Sequence, residues 1–108
     1  MAYRLEFVGY CSELGHNKIW GWYVNDDGVH YNFWGKFDGR PLTFKIYEGF
    51  GAADKLAKLA WKKLSPRDNG QYHEVKIADL ETVIPGFGEK MEMQLVMAKL
   101  GDKFHGNG

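Results

Sequence analysis

Tyr3, Leu5 and Phe7 alternate with Arg4 and Glu6, the period-two pattern of a strand with one buried face. A second β-rich run, Lys18 to Val24 (KIWGWYV), ends on Asn25-Asp26-Asp27-Gly28, where Gly supplies positive φ and Asn and Asp tolerate it. Val29 to Trp34 follows at once, too close for a parallel crossover, so the two runs are expected to form an antiparallel hairpin. Phe37-Asp38-Gly39-Arg40-Pro41 supplies a second reversal, and Leu42 to Tyr47 reads as the next strand. After Gly49-Phe50-Gly51 the period changes to AADKLAKLAWKKL, rich in helix formers. There Ala53, Leu56, Ala57, Ala60 and Leu64 recur at helical spacing and should face the sheet, with Lys55, Lys58, Lys62 and Lys63 largely away from it. Pro66 and Asn69-Gly70 end this helix, and Gln71 to Ile77 reads as a short strand or extended segment. Pro85-Gly86-Phe87-Gly88 makes a break, and a second helix is expected from about residue 88, with Met91, Leu95, Ala98 and Met97 on its apolar side. Its methionines read as flexible core filler, and the closing HGNG as a frayed end. The pattern implies an α+β fold: an antiparallel β-meander sheet of about four to five strands, one helix packed on it, and a C-terminal helix.

Composition narrows this picture without changing it. A chain of 108 residues, 44% hydrophobic and 26% charged, has the usage of one ordinary globular domain. Aromatic residues reach 16% and include four Trp, so large rings either fill a small core or are displayed for binding. Formal charge is zero, but residues 30 to 70 hold eight basic residues against four acidic ones, +4, leaving −4 for the flanks. A basic centre of this kind can present a basic face although the whole chain is neutral. Cys11 is the single cysteine; one thiol closes no intramolecular disulfide and builds no cysteine-rich zinc site, and a reduced, cytoplasmic setting is expected. No apolar leader and no run of about 18 apolar residues occurs, so neither secretion nor a membrane span is expected.

Catalytic chemistry finds little support. His16, His30, His73 and His105 are scattered without HExxH or other close ligand spacing, no GxxxxGK[ST] loop is present, and Ser12, Ser65 and Cys11 lack a nucleophile elbow or a neighbouring base motif. No enzyme activity, cofactor or metal is therefore expected. Gly49-Phe50-Gly51 ahead of a helix is a weak anion signal, resting only on free N–H groups. The more coherent constellation is aromatic plus basic: Trp34 with Lys36, Arg40 and the helix residues Lys55, Lys58, Lys62 and Lys63. A ring offers a stacking surface to a base or sugar while lysine and arginine neutralise phosphate.

The order of these motifs resembles the WGR domain. Asn17-Lys18-Ile19-Trp20, a turn, Tyr31-Asn32-Phe33-Trp34-Gly35-Lys36-Phe37-Asp38-Gly39, a strand, an Ala/Lys helix and Asn69-Gly70-Gln71-Tyr72 follow one another as that family's motifs do, over about residues 4 to 76. Residues 77 to 108 form a C-terminal extension of the single domain. WGR domains occur in DNA-damage-responsive poly(ADP-ribose) polymerases and as small bacterial or phage proteins, and their fold is an antiparallel sheet with a packed helix. The resemblance implies recognition of DNA ends or nicks, with Trp34 against the sugar-phosphate backbone. Lys36 stands where the family has arginine, which keeps the charge but loses the planar fork. Arg40, four positions on, can partly substitute. The implied partner is DNA or RNA. The competing expectation is a protein-interaction adaptor or inhibitor with the same fold, suggested by overall neutrality and the Met-containing tail.

Overall fold

The hairpin signals along the chain build a five-stranded antiparallel sheet in the computed structural model, which describes residues 3–66 and 70–98 and, of Leu14, the backbone alone. Strands β1 (Tyr3–Cys11), β2 (Lys18–Asn25), β3 (His30–Lys36) and β4 (Thr43–Tyr47) make the meander, and β5 (His73–Glu74) pairs with the outer side of β1, giving the order β4-β3-β2-β1-β5. Helix α1 (Ala52–Leu64) covers one face; the four-residue α2 (Leu80–Val83) and α3 (Phe87–Met97) cover the other. The fold is the expected α+β class. The turn between β2 and β3 shows why: the N–H groups of Asp27 and Val29 both donate to Oδ1 of Asn25 at 2.9 Å, while Gly28 takes φ +80°, a region open to Gly at little steric cost.

A bulge in β1 sets which side chains meet which helix. Leu5 pairs with Tyr23 but Phe7 pairs with Trp22, so Glu6 is one residue too many for the ladder. An extra residue inverts the facing of everything beyond it. Tyr3 and Leu5 accordingly pack on the α2/α3 side, whereas Phe7, expected to share their face, lies with α1. Opposite the bulge is Gly21, where a Cβ would stand 2.2 Å from the carbonyl oxygen of Phe7.

Strand β2 is buried on both faces. Ile19 and Tyr23 join Val8, Tyr31, Phe33, Leu80, Phe87 and Met91 in one core, while Trp20 and Trp22 join Cys11, Leu56, Ala60 and Tyr72 in the other. On the α1 side Phe7 stacks on Trp22 with centroids 5.5 Å apart, and Trp20 meets Trp22 edge to face at 5.7 Å, geometries that add to the area buried. The stripe of α1 that meets this cluster is rotated from the expected one: Ala52, Leu56 and Ala60 are buried and Leu59, Lys63 and Leu64 half-buried, but Ala53 and Ala57 are exposed. Leu59 and Leu64 gain more by burial than the two small alanines, so the larger side chains set the phase. The carbonyls at the end of α1 are taken up by the side chains of Ser65 and Gln71 and the N–H of Tyr72, as helix ends require.

The C-terminal layer is tied down by two polar side chains. Buried Gln94 accepts from the N–H of Leu42 at 2.9 Å and donates to the carbonyl of Arg40 at 3.0 Å, fastening the reversal between β3 and β4 to α3. The carboxylate of Glu81 accepts from the N–H groups of Gly86 and Gly88 at 3.0 and 2.7 Å, where a negative charge complements the start of α3. As expected, Met91 is core, with Leu95 and Ala98 partly buried; Met97 is 43% exposed. The Asn69-Gly70 turn at Asn69, any continuation of α3 past Ala98, His105 and the HGNG end lie outside the described residues.

Candidate nucleic-acid interface

Because the sheet side of α1 is spent on Ala52, Leu56 and Ala60, its opposite side projects to solvent. Lys55, Lys58 and Lys62 stand there exposed, with Asp54 the one acid of the helix. At 3.6 residues per turn, Trp61 adjoins Lys58 one turn earlier and lies about 140° around the helix from buried Leu56, on the solvent side. Trp61 is 76% exposed, while Trp20 and Trp22 are 3% and 9% exposed and Trp34 is half-buried. Leaving three quarters of an indole in water forgoes roughly 3 to 5 kcal/mol of apolar burial. Phe50, just ahead of the helix, is fully exposed.

The edge strand adds to this side. Thr43, Lys45 and Tyr47 share the α1 face of β4 through their register with Trp34, Asn32 and His30. The ammonium of Lys45 lies 5.0 Å and that of Lys55 5.8 Å from the centroid of the Tyr47 ring, within the reach of cation–π attraction. Two cations from different elements are thereby gathered at the head of α1.

The other sequence-derived candidates are placed differently. Trp34 is a strand residue paired with Trp20 and Thr43, and its ring packs against the α1-side cluster. Lys36 is exposed at the end of β3, opposite Lys18. Lys63 is turned inward, its ammonium 5.7 Å from the Tyr72 ring. Arg40 rides the reversal that Gln94 fastens to α3, away from the α1 face. It grips Asp38 through Nε at 3.0 Å and Nη2 at 2.7 Å. Those bonds hold the Asp38 carboxyl below the usual carboxylate range and raise Arg40 in turn, although both groups are exposed. The structure thus brings together Lys55, Lys58 and Lys62, separates Arg40 from them, and supplies Trp61, Phe50, Tyr47 and Lys45, none of which the sequence reading assigned to the site. The available signal was the helical wheel: a residue one past Ala60 and five past Leu56 lies away from both.

A second surface lies across the molecule. Met93, Val96 and Met97 are 60%, 68% and 43% exposed on α3, and the two methionines border a groove of about 430 Å³ whose other wall is Phe37, Asp38 and Gly39. Among the described residues no cluster of three metal-binding side chains occurs, and no helix is long and apolar enough to cross a membrane. Comparison with protein-family models, with curated protein sequences and with solved structures found no match to this chain.

Proposed function

We propose that this chain is a WGR-like nucleic-acid-binding module whose contact surface is the outer face of α1. The observation that carries the reading is the grouping of exposed Lys55, Lys58 and Lys62 around a tryptophan that is 76% exposed. Ammonium groups so placed neutralise phosphates and release counterions, while the ring supplies a sequence-tolerant contact. In this reading Trp34 holds the α1 side of the sheet together rather than stacking on the ligand, and Arg40 contributes little, because its charge is met by Asp38. Support for the WGR likeness is the position of Trp34-Gly35-Lys36 at the end of β3, immediately before a reversal, with the packed helix following β4.

The test is oligonucleotide binding followed against salt. Labelled DNA should bind with an affinity that falls steeply as salt rises, and Lys55→Glu/Lys58→Glu/Lys62→Glu should flatten the log–log slope by about 2, at about 0.7 for each phosphate no longer neutralised. An unchanged slope in the folded triple variant would overturn the assignment.

The adaptor reading is favoured by one observation of its own, the exposed methionines beside the α3 groove. It predicts that Met93→Lys/Met97→Lys abolishes capture of a protein partner while oligonucleotide binding stays intact. Loss of oligonucleotide binding in that variant would count against two separate surfaces.

A further inference from the structure

Resting on the nucleic-acid reading of α1, we infer that the helix is a track for a short single strand, bracketed by Phe50 at its start and Trp61 near its end. Three observations carry this. First, both rings are exposed, Phe50 fully and Trp61 by 76%. The faces of bases are the surfaces that rings bind, and a duplex hides them in its own stack except at its ends. Second, Lys55, Lys58 and Lys62 lie between or beside the rings at spacings of three and four residues. At 1.5 Å rise per residue they spread over about 10 Å along one side of the helix, a length over which one stacked strand presents about three phosphates. Third, α1 lies flat on the sheet with Leu56 and Ala60 buried beneath it. A helix held this way offers one face to a strand laid along it, whereas insertion into a major groove needs a helix that projects from its domain.

The span sets the length of the ligand. From Phe50 to Trp61 is eleven residues, roughly 14 to 17 Å for a helical segment of that length. At about 3.4 Å per stacked nucleotide this accommodates about four or five nucleotides. Asp54 and Glu48 sit toward the Phe50 end, while Lys62 and Lys63 lie in the last turn of α1. The phosphate contacts therefore concentrate between Lys55 and Lys62, and Phe50 serves as a ring contact beyond the charged run.

The experiment compares a labelled oligothymidylate of about twelve nucleotides with a DNA dumbbell closed by non-nucleotide linkers, a duplex with neither free ends nor single-stranded loops, by fluorescence anisotropy at one salt concentration. The single strand is expected to bind at least about tenfold tighter, Trp61→Ala to lose roughly 5- to 150-fold in affinity for it, and Trp61→Phe to recover most of that loss. Phe50→Ala should weaken the longer oligonucleotide more than a trinucleotide, which cannot reach both rings. Trp61 and Phe50 are exposed, so these variants keep the core intact, and circular dichroism checks that they do. Equal or tighter binding of the dumbbell, or Trp61→Ala binding like the parent while the lysine triple variant fails to bind, would overturn the single-strand track and leave the nucleic-acid reading standing. If neither oligonucleotide binds, both fall.

Discussion

Replacing Gly21 by Ala probes the geometry on which both faces of the sheet depend. The φ of Gly21 is not in the left-handed region, so the backbone itself accepts alanine and the whole effect is steric. The new Cβ would lie 2.2 Å from the carbonyl oxygen of Phe7 and 2.8 Å from Cζ of Phe33. The ring tip can swing, but the carbonyl belongs to the bulge and moves only if β1 and β2 separate by about an ångström. Overpacking costs about 1 to 3 kcal/mol, and loosening a ladder hydrogen bond at the bulge adds about 1 kcal/mol, giving about 3 kcal/mol in all. For a domain of this size that is a drop in Tm of roughly 12 °C or more. Urea unfolding monitored by circular dichroism measures it, with the midpoint falling and the m-value unchanged. Gly9→Ala is the control: its Cβ would meet Tyr72 Cβ at 3.4 Å, an ordinary contact, and should change stability by less than about 1 kcal/mol. A Gly21→Ala protein within about 1 kcal/mol of the parent would refute the claim that the bulge requires a bare Cα at this position.

Other consequences are equally accessible. Gln94→Leu strands the N–H of Leu42, and should cost about 1 to 3 kcal/mol in urea unfolding and loosen the reversal around Gly39 in hydrogen exchange. Glu81→Gln removes the charge at the start of α3 and should cost about 0.5 to 1 kcal/mol, an effect that shrinks in high salt; a salt-independent loss would point to the hydrogen bonds instead. Burial, aided by nearby Tyr31, pushes the Tyr3 phenol up to about 12, and burial with nearby Glu92 raises Tyr23. Phenols that ionise near 10 in the unfolded chain and later in the folded one favour unfolding as pH rises. Stability should therefore be flat below about pH 10 and fall above it, by up to about 1.4 kcal/mol per pH unit from Tyr23 and by less from Tyr3, whose charge solvent screens more. Tyr23→Phe should make that decline shallower; an identical decline would exclude Tyr23 as a source.

The hairpins were legible because their turns depend on local chemistry: Asn25 and Gly28 perform their roles whatever packs around them. The second covered face was not expected, although KIWGWYV does not alternate, as a strand buried on both sides need not. Less could be read of the bulge. Glu6 is polar like Arg4, so Tyr3, Leu5 and Phe7 keep their period in sequence while Phe7 changes face in space. Alanines misled the phase of α1, because Ala52 and Ala60 inside and Ala53 and Ala57 outside carry nearly the same signal. For the candidate site, charge was readable and exposure was not. The lysines are recognisable as a group, but a tryptophan in a helix looks like core, and Trp61 is set apart only by its exposure in the fold. Arg40 shows the converse: a basic residue beside an aromatic turn whose charge is met by Asp38, two positions earlier.

The uneven burial of the four tryptophans also gives the molecule two separate optical channels. Trp20, Trp22 and Trp34 belong to the packed cluster beneath α1, so their emission should be blue-shifted and red-shift only when that cluster opens. Trp61, in water in the folded state, should emit to the red and be quenched by acrylamide before any unfolding occurs. Quenching of the native protein thus acts first on Trp61 and less on half-buried Trp34, while a red shift on unfolding follows the interior, without a label on either.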